Sequence, residues 1–237
     1  MKHLKLLALL ALAVFQSCSA YRQSTALTVT CPDAVRILPD FPSFDDKEAF
    51  FNDSLLYRRG KALRDTERGR QAVLDSDIQL DFFLKRFGEV MGVELNREAT
   101  PSIVSYLEAV YTYTGEGIRN AKDGFKRQRP FSHFGEPSAI PDEEGTFGRS
   151  SSYPSGHSLL AWMVALSLTS IDEAHEYDII RLGYELGQSR VISGFHYQSD
   201  VDAARLAAGV AYARIVSDPQ FIKLMNLARK ELESQPR

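Results

Sequence analysis

Residues 154–168 read Pro-Ser-Gly-His-Ser-Leu-Leu-Ala-Trp-Met-Val-Ala-Leu-Ser-Leu. From Leu159 to Leu168 the stretch is apolar on almost every side, the pattern of a helix buried all round in a packed core. Pro154, Ser155 and Gly156 supply a start for a helix over 156–170, with Trp162 and Met163 as core side chains. Working outward, apolar residues recur at three- and four-residue spacing over 46–58, 61–74, 77–91 and 101–114, as in Ile78, Phe82, Phe83 and Val90. Further helical runs cover 174–194, 199–216 and 218–233. Thr100-Pro101 and Asp218-Pro219 are start signals, with Thr100 as N-cap and proline in the first turn. Sustained alternation and Asn-Gly hairpins are missing. The expectation is an all-α, single-domain bundle of about eight helices built around the 156–170 segment.

The composition agrees. Of 237 residues, 44% are hydrophobic and 25% charged, enough for a sizeable core and unlike a disordered tail, a collagen-like fibre or a disulfide-stapled miniprotein. Lys plus Arg number 28 against 31 Asp plus Glu, a net charge of −3. That balance argues against binding nucleic acid through bulk electrostatics, so no nucleic-acid partner is expected and any anion site has to be a local cluster.

Residues 1–20 do not belong to the fold. Lys2 and Lys5 precede an apolar run of ten residues, Leu6–Phe15, and small residues follow at Ser17, Cys18, Ser19 and Ala20. A basic start, a short apolar centre and a small-residue cleavage zone make a secretory signal peptide, and the run is too short for the ~20 residues of a membrane span. Phe15-Gln-Ser-Cys18 is also similar to a loose lipoprotein box, which would anchor the mature chain through a lipid on Cys18. The expected location is periplasmic or secreted. Residues 21–44, with three prolines and no helical period, read as an N-terminal arm, and 45–237 as the helical domain. Phe131–Tyr153, rich in Ser, Pro, Gly, Asp and Glu, reads as a loop of about twenty residues, long enough for a lid over a binding site.

Three segments hold the chemistry: Lys122-Asp-Gly-Phe-Lys-Arg-Gln-Arg129-Pro130, Pro154-Ser-Gly-His157, and Ser189-Arg-Val-Ile-Ser-Gly-Phe-His196-Tyr-Gln-Ser-Asp200. Lys122 and Arg129 stand about two helical turns apart and can face the same way; Arg190 adds a third fixed cation. Three cations together favour a multiply charged anion, and guanidinium forks suit phosphate oxygens. Ser155 and Gly156 offer unpaired N–H groups at a helix start. His196 and Asp200, at i and i+4, can meet on one helical face, where the carboxylate would fix the ring tautomer. His157 is a second imidazole, available as general acid and base. Each segment alone has a plainer reading: a solvated basic helix face, a helix cap, a hydrogen-bonded pair or two metal ligands. A metal is disfavoured by the neighbouring cations and by the want of a third ligand. Ser155 lacks the G-x-S-x-G setting of an acyl-transfer nucleophile. His133 and His175 read as surface residues.

Together the segments resemble the signature of the type 2 phosphatidic acid phosphatase superfamily: K-x6-R-P, P-S-G-H and S-R-x5-H-x3-D. Lys122, Arg129, Pro130, Pro154, Ser155, Gly156, His157, Ser189, Arg190, His196 and Asp200 fill every fixed position. Arg129-Pro-Phe131 and Ser152-Tyr153 are similar to the bacterial class A non-specific acid phosphatases, which usually carry Gly at the position of Ser151 and Thr at that of Ser158. The resemblance implies a helical fold related to the vanadium haloperoxidase core. It implies a homo-oligomer acting on small phosphomonoesters, with neither metal nor other cofactor. His196 would be the nucleophile, Asp200 its orienting partner and His157 the proton donor; Lys122, Arg129, Arg190 and the Ser155 and Gly156 N–H groups would hold the phosphate. The optimum would lie on the acid side. The alternatives are a vanadium-dependent haloperoxidase, a lipid phosphate or diphosphate phosphatase, and a non-catalytic phosphate-binding protein.

Overall fold

The computed structural model describes residues 27–236. The expected signal peptide, its cleavage zone and Cys18 lie outside the described residues. Eleven helices and no strands occur among them. In chain order these are α1 (Ala34–Ile37), α2 (Phe51–Ala62), α3 (Glu67–Leu74), α4 (Leu80–Met91), α5 (Pro101–Gly124), α6 (Pro130–Phe134), α7 (Pro141–Phe147), α8 (Gly156–Thr169), α9 (Glu176–Ile192), α10 (Gln198–Ile215) and α11 (Pro219–Glu233). The class is all-α as expected. The count exceeds eight because three short helices, α1, α6 and α7, fall in segments too short to show a helical period.

The segment 156–169 forms the central helix. α8 packs against α9, α10 and α5, and the side chains between Leu159 and Leu168 are buried except Trp162 and Leu166, which are half-buried. Met163 is fully enclosed, whereas Trp162 reaches the edge of the core, where the Arg205 guanidinium sits 5.6 Å from its ring. One continuous hydrophobic cluster joins α4, α5, α8, α9, α10 and α11.

The start signals act through different atoms. Asp218 Oδ1 accepts from the N–H groups of Gln220 and Phe221 at 2.7 and 3.2 Å, an ordinary N-cap for α11. Its Oδ2 accepts from Thr28 N and Oγ1 and from Val29 N, at 2.6, 2.7 and 3.0 Å, and so fastens the arm to the bundle. Thr100 occupies the cap position of α5, but its side chain makes no cap hydrogen bond. Glu231 of α11 accepts from Ser102 N and Ile103 N instead, at 3.1 and 2.8 Å.

α5 runs ten residues past its expected end at 114. Gly115, Gly117 and Gly124 interrupt the apolar pattern there, and two of them are needed for close approach. A Cβ on Gly117 would meet Cys31 Sγ at 2.5 Å, and one on Gly124 would overlap Val35 of α1. The helix gives up side chains so that the arm and α1 can lie against it. The extension delivers Lys122 to the site.

Candidate active site

Beyond Gly124 the chain is extended, from Phe125 at φ −104° and ψ 150° to Arg129 at φ −73° and ψ 155°, where the following proline excludes the helical region. Burial alternates along it: Phe125, Arg127 and Arg129 point inward, Lys126 and Gln128 outward. Lys122 and Arg129 therefore do not share a helical face, contrary to the two-turn expectation. They still converge, one from the last turn of α5 and the other from the strand-like segment after it.

Arg129 Nη1 donates to His196 Nε2 at 3.1 Å and to the Phe195 carbonyl at 3.1 Å. Its Nε donates to the Phe147 carbonyl at 2.9 Å and its Nη2 to Ser150 Oγ at 2.9 Å. His196 precedes α10, and its N–H, like that of Phe195, donates to the Arg190 carbonyl at the end of α9. Asp200 is the third residue of α10. Its Oδ2 meets His196 Nδ1 at 3.4 Å, and accepts from Tyr197 N at 2.8 Å and Ser152 Oγ at 2.5 Å. The expected pair is thus present, formed by the capping turn of α10 rather than along a helical face.

Ser155 is the N-cap of α8, accepting from Ser158 N at 3.3 Å. Its own N–H, expected to be available to an anion, donates to the Asp200 carbonyl at 3.0 Å. Gly156 and His157 open the first turn of α8, where N–H groups have no carbonyl one turn back. His157 is 5% exposed, its ring centroid lies 5.6 Å from that of Phe83, and its Nε2 is buried without a hydrogen-bond partner. Arg190, in the last turn of α9, is 4% exposed, and its Nε and Nη1 are likewise buried without partners. The Phe195 ring lies 4.9 Å from its guanidinium. Lys122 Nζ donates to the carbonyls of Ser151, Ser152 and Pro154 at 2.6, 3.2 and 2.7 Å.

Electrostatics follow from this enclosure. Burial pushes Lys122 well below its ordinary value, with Arg129 adding to the effect. Burial brings Arg129 and Arg190 down to about 10. His157 is held well below 6.5 by burial, then by the charges of Arg190 and His196. His196 is depressed by burial and by Arg129, with Asp200 opposing. Burial alone would raise Asp200, but hydrogen bonding to His196 and the charge of Arg127 hold it well below the usual carboxylate range.

Arg127 and Asp53 are not singled out by the sequence, and Ser152 only as part of a resemblance, with no role attached. Arg127 Nη1 donates to Asp200 Oδ1 at 2.6 Å, and Nη2 to Asp53 Oδ2 at 2.7 Å. The inward alternation Phe125-x-Arg127-x-Arg129 ahead of Pro130 is the signal that could have found it. The expected lid is not a bare loop: α6 and α7 occupy much of 131–153, and α7 sets Phe147, 39% exposed, beside Arg129. His133 and His175 are half-buried rather than on the surface. His133 stacks on Phe44 with centroids 4.0 Å apart, and His175 Nδ1 meets Asp172 Oδ2 at 2.8 Å. Among the described residues, no cluster of three His, Cys, Asp or Glu side chains could hold a metal, and no helix is long and apolar enough to cross a membrane.

Residues 103–222 match the PAP2 superfamily. The chain is 38% identical over 200 residues to a non-specific acid phosphatase of Providencia stuartii, covering 84% of this chain and 80% of that one. It is 35% identical over 199 residues to a non-specific acid phosphatase of Salmonella typhimurium, covering 84% and 79%. Against an acid phosphatase of Zymomonas mobilis it is 31% identical over 182 residues, covering 77% and 69%. With the three motif segments gathered round one buried histidine pair and a relative this similar over most of its length, the chain belongs to the PAP2 superfamily.

Proposed function

We propose that this protein is an acid phosphatase that hydrolyses small phosphomonoesters through a phosphohistidine at His196, using fixed cations in place of a metal. The observation that carries the reading is the contact of Arg129 with His196. A guanidinium can only donate, so His196 Nε2 must present its lone pair, which leaves the proton on Nδ1, facing Asp200. That is the tautomer an in-line nucleophile needs. Arg190 and His157 supply the second support: Arg190 Nε and Nη1 and His157 Nε2 are buried without partners, and His157 lies close enough to feel the charges of Arg190 and His196, a setting that suits an oxyanion.

The reaction then balances as two displacements. His196 Nε2 forms a bond to phosphorus as the ester P–O bond breaks, and His157 gives its proton to the departing alkoxide. His157 next takes a proton from water, whose oxygen attacks phosphorus while the P–N bond breaks. Arg129, Arg190 and the Gly156 N–H face the equatorial oxygens as charge develops. Lys122 acts through its charge and through the three loop carbonyls it holds, and Ser155 through the cap of α8. Residues 1–20, read as a signal, would send the mature enzyme to the periplasm or beyond.

The test is hydrolysis of p-nitrophenyl phosphate at pH 5–6 by the purified mature chain, with and without EDTA. Hydrolysis that survives EDTA and is lost in a folded His196→Ala variant is the expected result. Undiminished turnover by that variant would remove His196 from the nucleophile role.

A further inference from the structure

Arg127 stands outside the three motif segments' fixed positions, yet it is the most enclosed cation around Asp200, its side chain 0% exposed. One guanidinium bridges two buried carboxylates, Asp53 of α2 and Asp200 of α10. Ser199 completes the bridge. Its Oγ accepts from Arg127 Nη1 at 2.7 Å and donates to Asp53 Oδ2, while its N–H donates to Asp53 Oδ1 at 2.8 Å. The guanidinium lies 4.2 Å from the Tyr197 ring centroid, with Phe41 and Phe44 at 5.2 and 5.8 Å. Such a clamp holds a planar fork in one orientation.

The Asp200 carboxylate divides its two oxygens. Oδ1 receives Arg127; Oδ2 receives Ser152, Tyr197 N–H and His196. We propose that Arg127, held in turn by Asp53, is a positioning residue for phosphoryl transfer, fixing the Asp200 carboxylate against His196 and taking up part of its charge. The proposal rests on the phosphatase reading and deepens it.

The reason for such a device is the acid environment. An aspartate beside a histidine orients the ring, but its full negative charge also draws a proton onto it. A protonated His196 has no lone pair for attack. Arg127 allows Asp200 to stay close while weakening that pull. The other groups facing His196 are Lys122 of α5, Arg129 ahead of α6 and His157 of α8, all of which oppose its protonation when charged. Asp200 is faced in addition by the phenols of Tyr153 and Tyr197. Asp200 is thus the group that favours His196 protonation, and Arg127 is the cation on its far oxygen.

The two partners of the bridge have opposite effects, which separates positioning from mere structural support. Removing Arg127 exposes His196 to the undivided Asp200 charge. In Arg127→Met the acid limb of the kcat/KM profile for p-nitrophenyl phosphate moves up by roughly one pH unit, and kcat falls. Removing the Asp53 charge leaves Arg127 wholly to Asp200, so in Asp53→Asn the acid limb moves down by about half a unit. Arg127→Lys retains the charge but cannot span both carboxylates; its acid limb stays near the wild-type position while kcat remains low. Because Arg127→Met strands two buried carboxylates, circular dichroism accompanies each assay, and Asp53→Asn and Arg127→Lys decide if it does not fold. Acid limbs that stay together in Asp53→Asn and Arg127→Met, or move in the same direction, overturn the proposal. If the wild-type enzyme hydrolyses no phosphomonoester, the phosphatase reading fails instead. The His196 ring titration followed by NMR in the same variants then tests Arg127 without turnover, by the same opposite shifts.

Discussion

Arg129 Nη1 lies 3.1 Å from His196 Nε2, and His196 Nδ1 lies 3.4 Å from Asp200 Oδ2, so one imidazole is held between a cation and an anion. The order matters. With the cation on Nε2 the ring stays neutral and its lone pair points to Arg129; the reverse arrangement would put the proton on Nε2 and deny the proposed nucleophile its lone pair. Nitrogen NMR of the free protein at pH 6 is expected to show His196 with a protonated Nδ1 and a bare Nε2. An Nε2–H tautomer would mean that the ring faces the site with the wrong nitrogen.

The proposed role of His157 as proton donor raises a question of sign, which the charge of a bound phosphate answers. Burial, Arg190 and His196 hold His157 well below 6.5, which favours its neutral form, whereas the proposed proton donor must carry its proton. A bound phosphate brings negative charge beside it, which favours the protonated ring. Binding of inorganic phosphate near pH 6 is therefore expected to take up a proton. Titration calorimetry in buffers of different ionisation enthalpy measures this directly, and the uptake should vanish in His157→Ala. A proton count that is the same in His157→Ala as in wild type would contradict the assignment.

Lys122 gives all three of its donors to the carbonyls of Ser151, Ser152 and Pro154. That loop carries Ser152 to Asp200 and leads directly into the cap of α8. Lys122→Met is expected to lower kcat by ~10²-fold or more, as for loss of one preorganised charge. Amide exchange over 151–156 should quicken in the same variant. A rise in KM with kcat and exchange unchanged would instead make Lys122 a simple substrate contact.

Asp218 ties stability to pH. Burial would raise its carboxyl, but hydrogen bonds from Thr28, Val29 and Phe221 bring it from 3.8 down to about 2. A carboxylate more acidic in the folded state adds stability above its unfolded value and loses it as pH falls through the folded one. Asp218→Asn should therefore unfold at a lower temperature than wild type at pH 6, and the gap should narrow from about pH 4 to pH 2. Protease cleavage near Leu27 should become faster at pH 6. An equal deficit at every pH would assign the effect to packing alone.

The fold was legible wherever a helix had to bury a face. The 156–169 segment is apolar all round because it is surrounded by α5, α9 and α10, and no local preference competes with that burial. Legibility failed where helices serve other ends. In α5, Gly117 and Gly124 break the apolar period around Lys122, since they make room for Cys31 and Val35. α6 and α7 are too short for periodicity to register. Among the residues with fixed spacing, Arg129, His196 and Asp200 are quoted from the sequence and meet in the structure. Asp53 could not be named in advance, because its partner Arg127 is 74 residues away and nothing local marks the pairing. The Ser155 N–H was misassigned for a similar reason: the Asp200 carbonyl that takes it comes from another helix.

The central claim is the covalent one, that phosphorus passes through Nε2 of His196. Quenching wild-type enzyme with alkali during turnover of a labelled phosphomonoester, followed by peptide mapping, tests it most directly, because a phosphoramidate survives alkali and is lost in acid. Acid-labile label on His196, raised in His157→Ala if water activation slows more than its own formation, is the predicted result. Label on another side chain, or continuing hydrolysis by a folded His196→Ala variant, would contradict it.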